Sequence, residues 1–420
     1  MHILFLVPYA PTPIRTRPYN LLRGLLRRGH RVTLATLWEN GEERAYLEDW
    51  EQDGVKVVAS HLPKLRSLWN SLCALPGATP LQAVYCWQPA LLASLTRELA
   101  SDGYDVIHVE HLRGARYGLW LQSVNGHSSS APIIWDSVDC ITHLFQQAAH
   151  SSTSVLARLM TRLELERTRR YEAWLSGQFD RILVTSPVDK DAFECLNSGA
   201  LERSDVPLCE RITVLPNGVD LDHFCPATAP RQPNSIVFSG KMSYHANVTA
   251  VLHFSRDILP RIWGRIPGAT FTIVGHNPPA EVRALSADPR ITVTGSVPDL
   301  CCYLQRAFVA VAPMPYGAGI QNKVLEAMAC ATPVVATPQA ISALQAQPGR
   351  HLLVSQEPDE FARAVIRLLV DSDLRQRIGR AGRQYVEEHH DWNAIVGQLE
   401  AIYGEAMPHN LPEVRGEVDG

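Results

Sequence analysis

From Pro313 to Cys330 the chain reads PMPYGAGIQNKVLEAMAC, a glycine-punctuated turn running straight into a helix-forming segment. Gly317 and Gly319 let the backbone turn tightly and approach a ligand closely. The first amides of the helix, aided by its dipole, suit an anion such as a diphosphate. Lys323 stands three residues before Glu326 and Asn322 four before it, so the three side chains share one helix face. A cation, an amide and a carboxylate able to hold two adjacent ribose hydroxyls then point into one site. The bland alternative is a turn followed by an exposed face with an ordinary ion pair, and the pattern alone leaves both open.

Two further clusters invite the same question. In FSGKMSYHAN (238–247), Gly240 and Lys241 follow an apolar run, where a lysine would stabilise charge on a departing diphosphate. In WDSVD (135–139), Asp136 and Asp139 follow the run APIIW and could orient hydroxyls or take part in acid–base work. A solvated lysine is the alternative for the first, and an N-cap and turn aspartate for the second. Arg15 and Arg17, after the first apolar run, could meet an anionic acceptor or be solvated. His108 and His111 bracket Glu110, a weak metal signal against which packing and hydrogen-bonding roles are favoured.

The elements that must position these residues alternate along the whole chain. Strands are predicted at 3–7, 31–37, 55–59, 105–109, 131–135 and 181–185, then at 235–239, 270–274, 291–294, 308–312 and 333–336, with helices between them. The first helix ends at Gly29, and residues 154–177 form a long arginine-rich one. A polar, proline-rich stretch over 205–235 reads as a linker. The domains are therefore expected at 1–205 and 206–395, with a helix and tail at 396–420 that returns to the first domain. In open parallel sheets ligands bind beyond the carboxyl ends of the strands, where every cluster above falls.

Composition excludes other classes. At 420 residues the chain exceeds one core and suits two α/β domains. A net charge of −4 speaks against a general nucleic-acid binder. The nine cysteines show no CxxC spacing, so neither a disulfide framework nor a structural zinc site is expected. The opening MHILFLVPYAPTP lacks the basic region of a signal peptide, and no apolar run approaches a membrane span. A cytoplasmic protein is expected, with attachment to the inner face of a membrane compatible. The 158–170 run, RLMTRLELERTRR, could attract such a surface, although its interleaved glutamates favour a plain exposed face.

Four segments together carry a resemblance: RRGHRV (27–32), VLPNGVDLDHFCP (214–226), GKMSYHANV (240–248) and GIQNKVLEAMACATPVVAT (319–337). In them the chain resembles the retaining glycosyltransferase family 4, and within it sugar transferases of bacterial exopolysaccharide clusters. The resemblance implies an α/β GT-B fold, two Rossmann-like domains facing each other across a cleft. It implies transfer from a nucleotide diphosphate sugar to a glycan or lipid-linked acceptor, with no cofactor, metal or nucleic acid. Lys241, Asp136 and Glu326 are then the catalytic candidates. Glu326 matches the glutamate that holds the ribose, and Lys241 the first of two basic residues on the diphosphate. Gly240, Gly317, Ala318, Gly319, Ile320, Gln321, Asn322 and Lys323 complete the donor side; Arg15, Arg17, His111 and Asp139 are the acceptor candidates.

The departures from the family pattern are specific. Ala318 stands where the first glutamate of a pair would be, and Asn247 where the second basic residue would be, leaving Lys323 as the replacement cation. Asp136 takes the place of the family's cleft histidine, and PTPIRTR (11–17) that of a double-glycine loop. Two rivals stay open: a nucleotide-sugar epimerase of the same architecture, and a nucleotide-sugar-binding subunit without turnover.

Overall fold

The computed structural model describes residues 1–101, 103–125, 131–151, 155–197, 207–316 and 319–407. Thirteen strands occur among them. They are β1 (His2–Val7), β2 (Arg31–Trp38), β3 (Lys56–His61), β4 (Val106–Glu110), β5 (Ile133–Val138), β6 (Arg181–Val184), β7 (Ile212–Val214), β8 (Ser235–Ser239), β9 (Thr270–Val274), β10 (Ile291–Gly295), β11 (Val309–Ala312), β12 (Val334–Ala336) and β13 (Leu353–Val354). They build one seven-stranded sheet, ordered β3-β2-β1-β4-β5-β6-β7, and one six-stranded sheet, ordered β10-β9-β8-β11-β12-β13. The pairings of β1 with β2 and β4, and of β8 with β9 and β11, are parallel.

Parallel sheets covered by helices on both faces call for strands apolar on both sides. ILFLV of β1 and SIVFS of β8 are buried throughout. Each central strand has its sequence successor on one side and a later strand on the other, so the order reverses at β1/β4 and at β8/β11. Loops leaving the two strands at such a reversal diverge and open a crevice at their carboxyl ends. That topology sets the place where Gly240–Lys241, after β8, comes together with Tyr316 and the start of the Asn322–Ala329 helix, after β11.

Contacts group the chain into two compact units. One comprises Met1–Ser137, Leu175–Ile182 and Val396–Gly420, the other Val138–Trp174 and Leu183–Ile395. In the first unit the Thr16–Arg27 helix closes at Gly29, whose φ of 81° supplies the left-handed turn that ends the helix. The final helix, Trp392–Ala406, buries Val396, Leu399 and Tyr403 completely. Its Glu400 pairs with Arg28 and His30, both of the first unit. The sequence reading missed β7, which lies inside the stretch read as a linker, and β13. Both are three residues or fewer, too short for periodicity to register.

Candidate functional site

The donor-side residues converge in the second unit. Gly240 leaves β8 with φ 156°, and a Cβ there would come within 2.8 Å of Asn247 Nδ2 and 3.2 Å of Lys323 Cε. Glycine is what lets both side chains lie against the turn. Asn247, itself buried, donates from Nδ2 to the Lys241 carbonyl at 2.9 Å. Its Oδ1 accepts from Lys323 Nζ at 2.8 Å. The asparagine read in the sequence as a lost cation therefore fastens the replacement cation to the turn after β8. Gln321 Oε1 accepts from the same ammonium at 3.3 Å, and the ring of Phe238 lies 5.3 Å from it.

Lys323 and Glu326 sit half-buried on the Asn322–Ala329 helix. Burial lowers the Lys323 pKa to about 8, partly opposed by Glu326. Burial likewise raises Glu326 to about 7, partly opposed by Lys323. Desolvation dominates both, so an incoming polyanion and a pair of hydroxyls would find groups only thinly hydrated. Lys241 is exposed, and among the described residues its ammonium has no hydrogen-bond or ion-pair partner. Ile320 is buried. Gly319 has φ 70°, and the carboxylate of Asp139, in the same unit, stands where a Cβ would go. Asp139 also accepts from Thr185 Oγ1 at 3.0 Å. Gly317 and Ala318 lie outside the described residues.

Sequence reasoning missed two aromatic side chains at this site. His245 Nδ1 and Tyr316 Oη are hydrogen-bonded, with their rings stacked at 6.2 Å between centroids. They join the loops after β8 and β11. The only sequence signal was an aromatic residue beside the glycine of PYG and a histidine beginning the helix after SY.

In the first unit the structure corrects two expectations, those for Asp136 and Arg17. Asp136 is fully buried on β5 and accepts from Arg17 Nε at 2.8 Å, with Arg17 NH2 also at 2.8 Å. Arg17 is 4% exposed. Neither is open to an acceptor, because each neutralises the other in the interior, where an unpaired charge is costly. His108 Nε2 lies 3.6 Å from Asp136, and its Nδ1 shares a hydrogen bond with Tyr403 Oη at 2.9 Å. Burial lowers its pKa to about 4, against the pull of Asp136, so the ring is neutral. Arg15, a third exposed, stacks on Tyr9 and bonds the Ala10 carbonyl and Glu43, each at 2.9 Å.

His111 stands at the end of β4 with φ 67°, and Val138 ends β5 with φ 69°. Non-glycine residues in the left-handed region, above all a β-branched valine, carry strain that clusters at functional positions. His111 accepts from the Arg113 amide at 3.3 Å, and burial lowers its pKa to about 3. Glu110 beside it is buried, with Oε1 accepting from Tyr9 Oη at 2.8 Å and Oε2 without a partner among the described residues. Burial, then the charge of Asp136, raises its pKa to about 8. Among the described residues no group of three or more His, Cys, Asp or Glu is placed to hold a metal.

Comparison with known proteins identifies the family and the fold. Residues 15–223 match the family model described as Glycosyltransferase Family 4, and residues 233–371 match that of Glycosyl transferases group 1. The chain is 24% identical over 327 residues to the phosphatidyl-myo-inositol mannosyltransferase of Mycobacterium leprae, spanning 76% of this chain and 78% of that protein. It is 30% identical over 211 residues to a GDP-mannose-dependent phosphatidylinositol monomannoside mannosyltransferase of Mycobacterium tuberculosis, spanning 44% of this chain and 54% of that protein. Among solved structures, the sucrose-phosphate synthase of Thermosynechococcus elongatus superposes with a TM-score of 0.66 at 17% identity, covering 96% of this chain and 98% of that one. Anabaena HepE, solved with UDP and glucose, superposes with a TM-score of 0.64 at 15% identity, covering 96% and 100%. Two parallel-sheet units, each matched by a sugar-transfer model and both carried by one superposition, place the chain in glycosyltransferase family 4, as a glycosyltransferase of GT-B fold.

Proposed function

We propose that this glycosyltransferase moves a sugar, with retention of anomeric configuration, from a nucleoside diphosphate donor to a hydroxyl of a saccharide or lipid-linked acceptor in exopolysaccharide or other cell-surface glycan synthesis. One observation carries the reading: at the β8/β11 reversal, Asn247 holds Lys323 against the Gly240–Lys241 turn, on the helix that bears Glu326. Lys323 and Lys241 meet the diphosphate, and Glu326 accepts from the ribose hydroxyls. The bond from the anomeric carbon to the diphosphate oxygen breaks as that to the acceptor oxygen forms. The acceptor proton passes to the departing diphosphate on the same face. Lysines and helix amides carry the leaving-group charge, so no metal is required. The work is done at the cytoplasmic face of a membrane. The phosphatidylinositol-directed mannosyltransferases among the relatives support a lipid-linked acceptor and a GDP donor.

The test is a panel of UDP- and GDP-sugars screened by thermal stabilisation, followed by hydrolysis of the best binder with the anomeric proton followed by NMR. Selective stabilisation by one donor and release of the retained anomer are expected. An inverted product, or no stabilisation by any nucleotide sugar, contradicts the reading. Binding without turnover in the presence of acceptor glycolipids would favour the non-catalytic subunit instead.

A further inference from the structure

The second unit holds a cavity of about 600 Å³ that lies apart from the donor-side residues. Phe308 and Pro333, on its wall, immediately precede β11 and β12, so it opens beyond the amino ends of these strands. The Gly240–Lys241 turn follows β8, at the other end of the same parallel sheet. Arg231, Arg375, Arg380 and Arg383 line the cavity, with Glu387 as its one acid. Arg380 is exposed and the other three arginines are half-buried. The volume lies in the range of small-molecule sites.

Three of the guanidinium groups are held along one edge. Arg231 donates from NH1 to the Gln305 carbonyl at 3.0 Å and from NH2 to that of Cys330 at 2.8 Å. Arg375 donates from NH1 to the Leu368 carbonyl at 2.9 Å and lies 4.1 Å over the ring of Phe308. Arg383 donates from NH1 to the Ala329 carbonyl and from Nε to Glu387, each at 2.7 Å. These carbonyls end the Cys301–Arg306, Asn322–Ala329 and Pro358–Val370 helices, so capping accounts for the bonded edges. It does not account for the others. Nε and NH2 of Arg375, NH2 of Arg383, and Nε and NH1 of Arg380 have no partner among the described residues.

We propose that this cavity binds the phosphate group of a phosphorylated small molecule, held by the free edges of Arg375, Arg380 and Arg383, with Pro226, Pro230 and Pro333 against its apolar part. Charge selects that ligand. Four arginines against one glutamate leave three positive charges on the lining. The three helix ends offset roughly half a charge each, so an excess of roughly 1.5 remains. A carboxylate supplies a single negative charge, whereas a phosphate monoester carries about −1.5 to −2 around neutral pH and offers three acceptor oxygens. Burial lowers the pKa of Arg231 and Arg375, the latter against the pull of Asp371, so these cations are poorly hydrated and gain from an anion. Forks already fastened to carbonyls lose little freedom when they bind it.

Because the cavity and the donor turn lie at opposite ends of the sheet, the two sites can fail separately. Calorimetry on the full chain with phenyl phosphate as the probe is expected to show saturable binding that survives Lys323→Met, the donor-side variant. Arg380→Glu should weaken that binding at least about tenfold, the scale of one charge-assisted hydrogen bond. Its melting temperature should match the parent's, since the side chain is exposed. Arg380→Lys, which keeps the charge, should retain most of the affinity. Benzoate, a ring of the same size with a single charge, should bind at least about tenfold more weakly than phenyl phosphate. The proposal is overturned if the parent does not bind phenyl phosphate, if Lys323→Met abolishes the binding, or if Arg380→Glu leaves it unchanged. Benzoate binding as tightly as phenyl phosphate would overturn it equally.

Discussion

Lys323 and Glu326 are placed so that the protonation state of each matters to the ligand it meets. Lys323, lowered to about 8, is cationic below that pH, and Glu326, raised to about 7, is anionic above it. Nucleotide affinity should therefore peak between these values and fall on both sides, measured by calorimetry across pH. Lys323→Met should remove the alkaline limb and weaken binding by roughly 10- to 100-fold, the scale of one charge-assisted hydrogen bond. In the first unit Glu110 offers a stability counterpart. Its folded pKa of about 8 lies above the unfolded value of ~4.3, so its contribution is complete in acid and is lost as pH rises through about 8. Glu110→Gln keeps an acceptor for Tyr9 and removes the titration. It should raise the melting temperature by at least about 3 °C in alkaline solution and by under about 1 °C in acid.

At the scale of elements, the turn after β8 depends on the absence of a side chain. Gly240→Ala would drive a methyl into Asn247 and the Lys323 stem, releasing the ammonium from its anchor. The expected result is a loss of donor affinity close to that of Lys323→Met, with a stability change under about 2 kcal/mol because the turn lies beyond the carboxyl end of β8 rather than within the buried strand. Urea melts read beside binding curves separate the two effects. The Thr16–Arg27 helix and β5 are tied by the Arg17–Asp136 pair, which behaves differently. Arg17→Met takes the guanidinium away from a buried carboxylate and should cost about 3–5 kcal/mol, whereas adding Asp136→Leu should recover most of that loss. A double variant as unstable as the single one would show that the pair is not the source.

At the scale of the molecule, the final helix completes the first unit. Val396, Leu399 and Tyr403 are fully buried, and Tyr403 reaches His108 on β4. Removing residues from Val396 onward uncovers several large side chains at about 2–4 kcal/mol each, which is comparable with the whole stability of a domain. Such a truncation should abolish the near-ultraviolet signature of the first unit while donor binding by the second persists. A truncated chain that melts as the parent does would contradict this.

Much was legible along the chain because it rests on local chemistry. Alternation of apolar runs gave the strands of both sheets except the short β7 and β13, glycines marked the turns, and the i, i+3 spacing put Lys323 and Glu326 on one face. What the sequence could not show were meetings between residues far apart in it. Asn247 looked like a missing cation until folding set it against Lys323, 76 residues away. Arg17 and Asp136 looked like open functional groups until β5 carried one to the other across 119 residues. Local order follows from neighbours in the chain, but desolvation and charge pairing depend on who is near in space, and that is settled only when the sheets close.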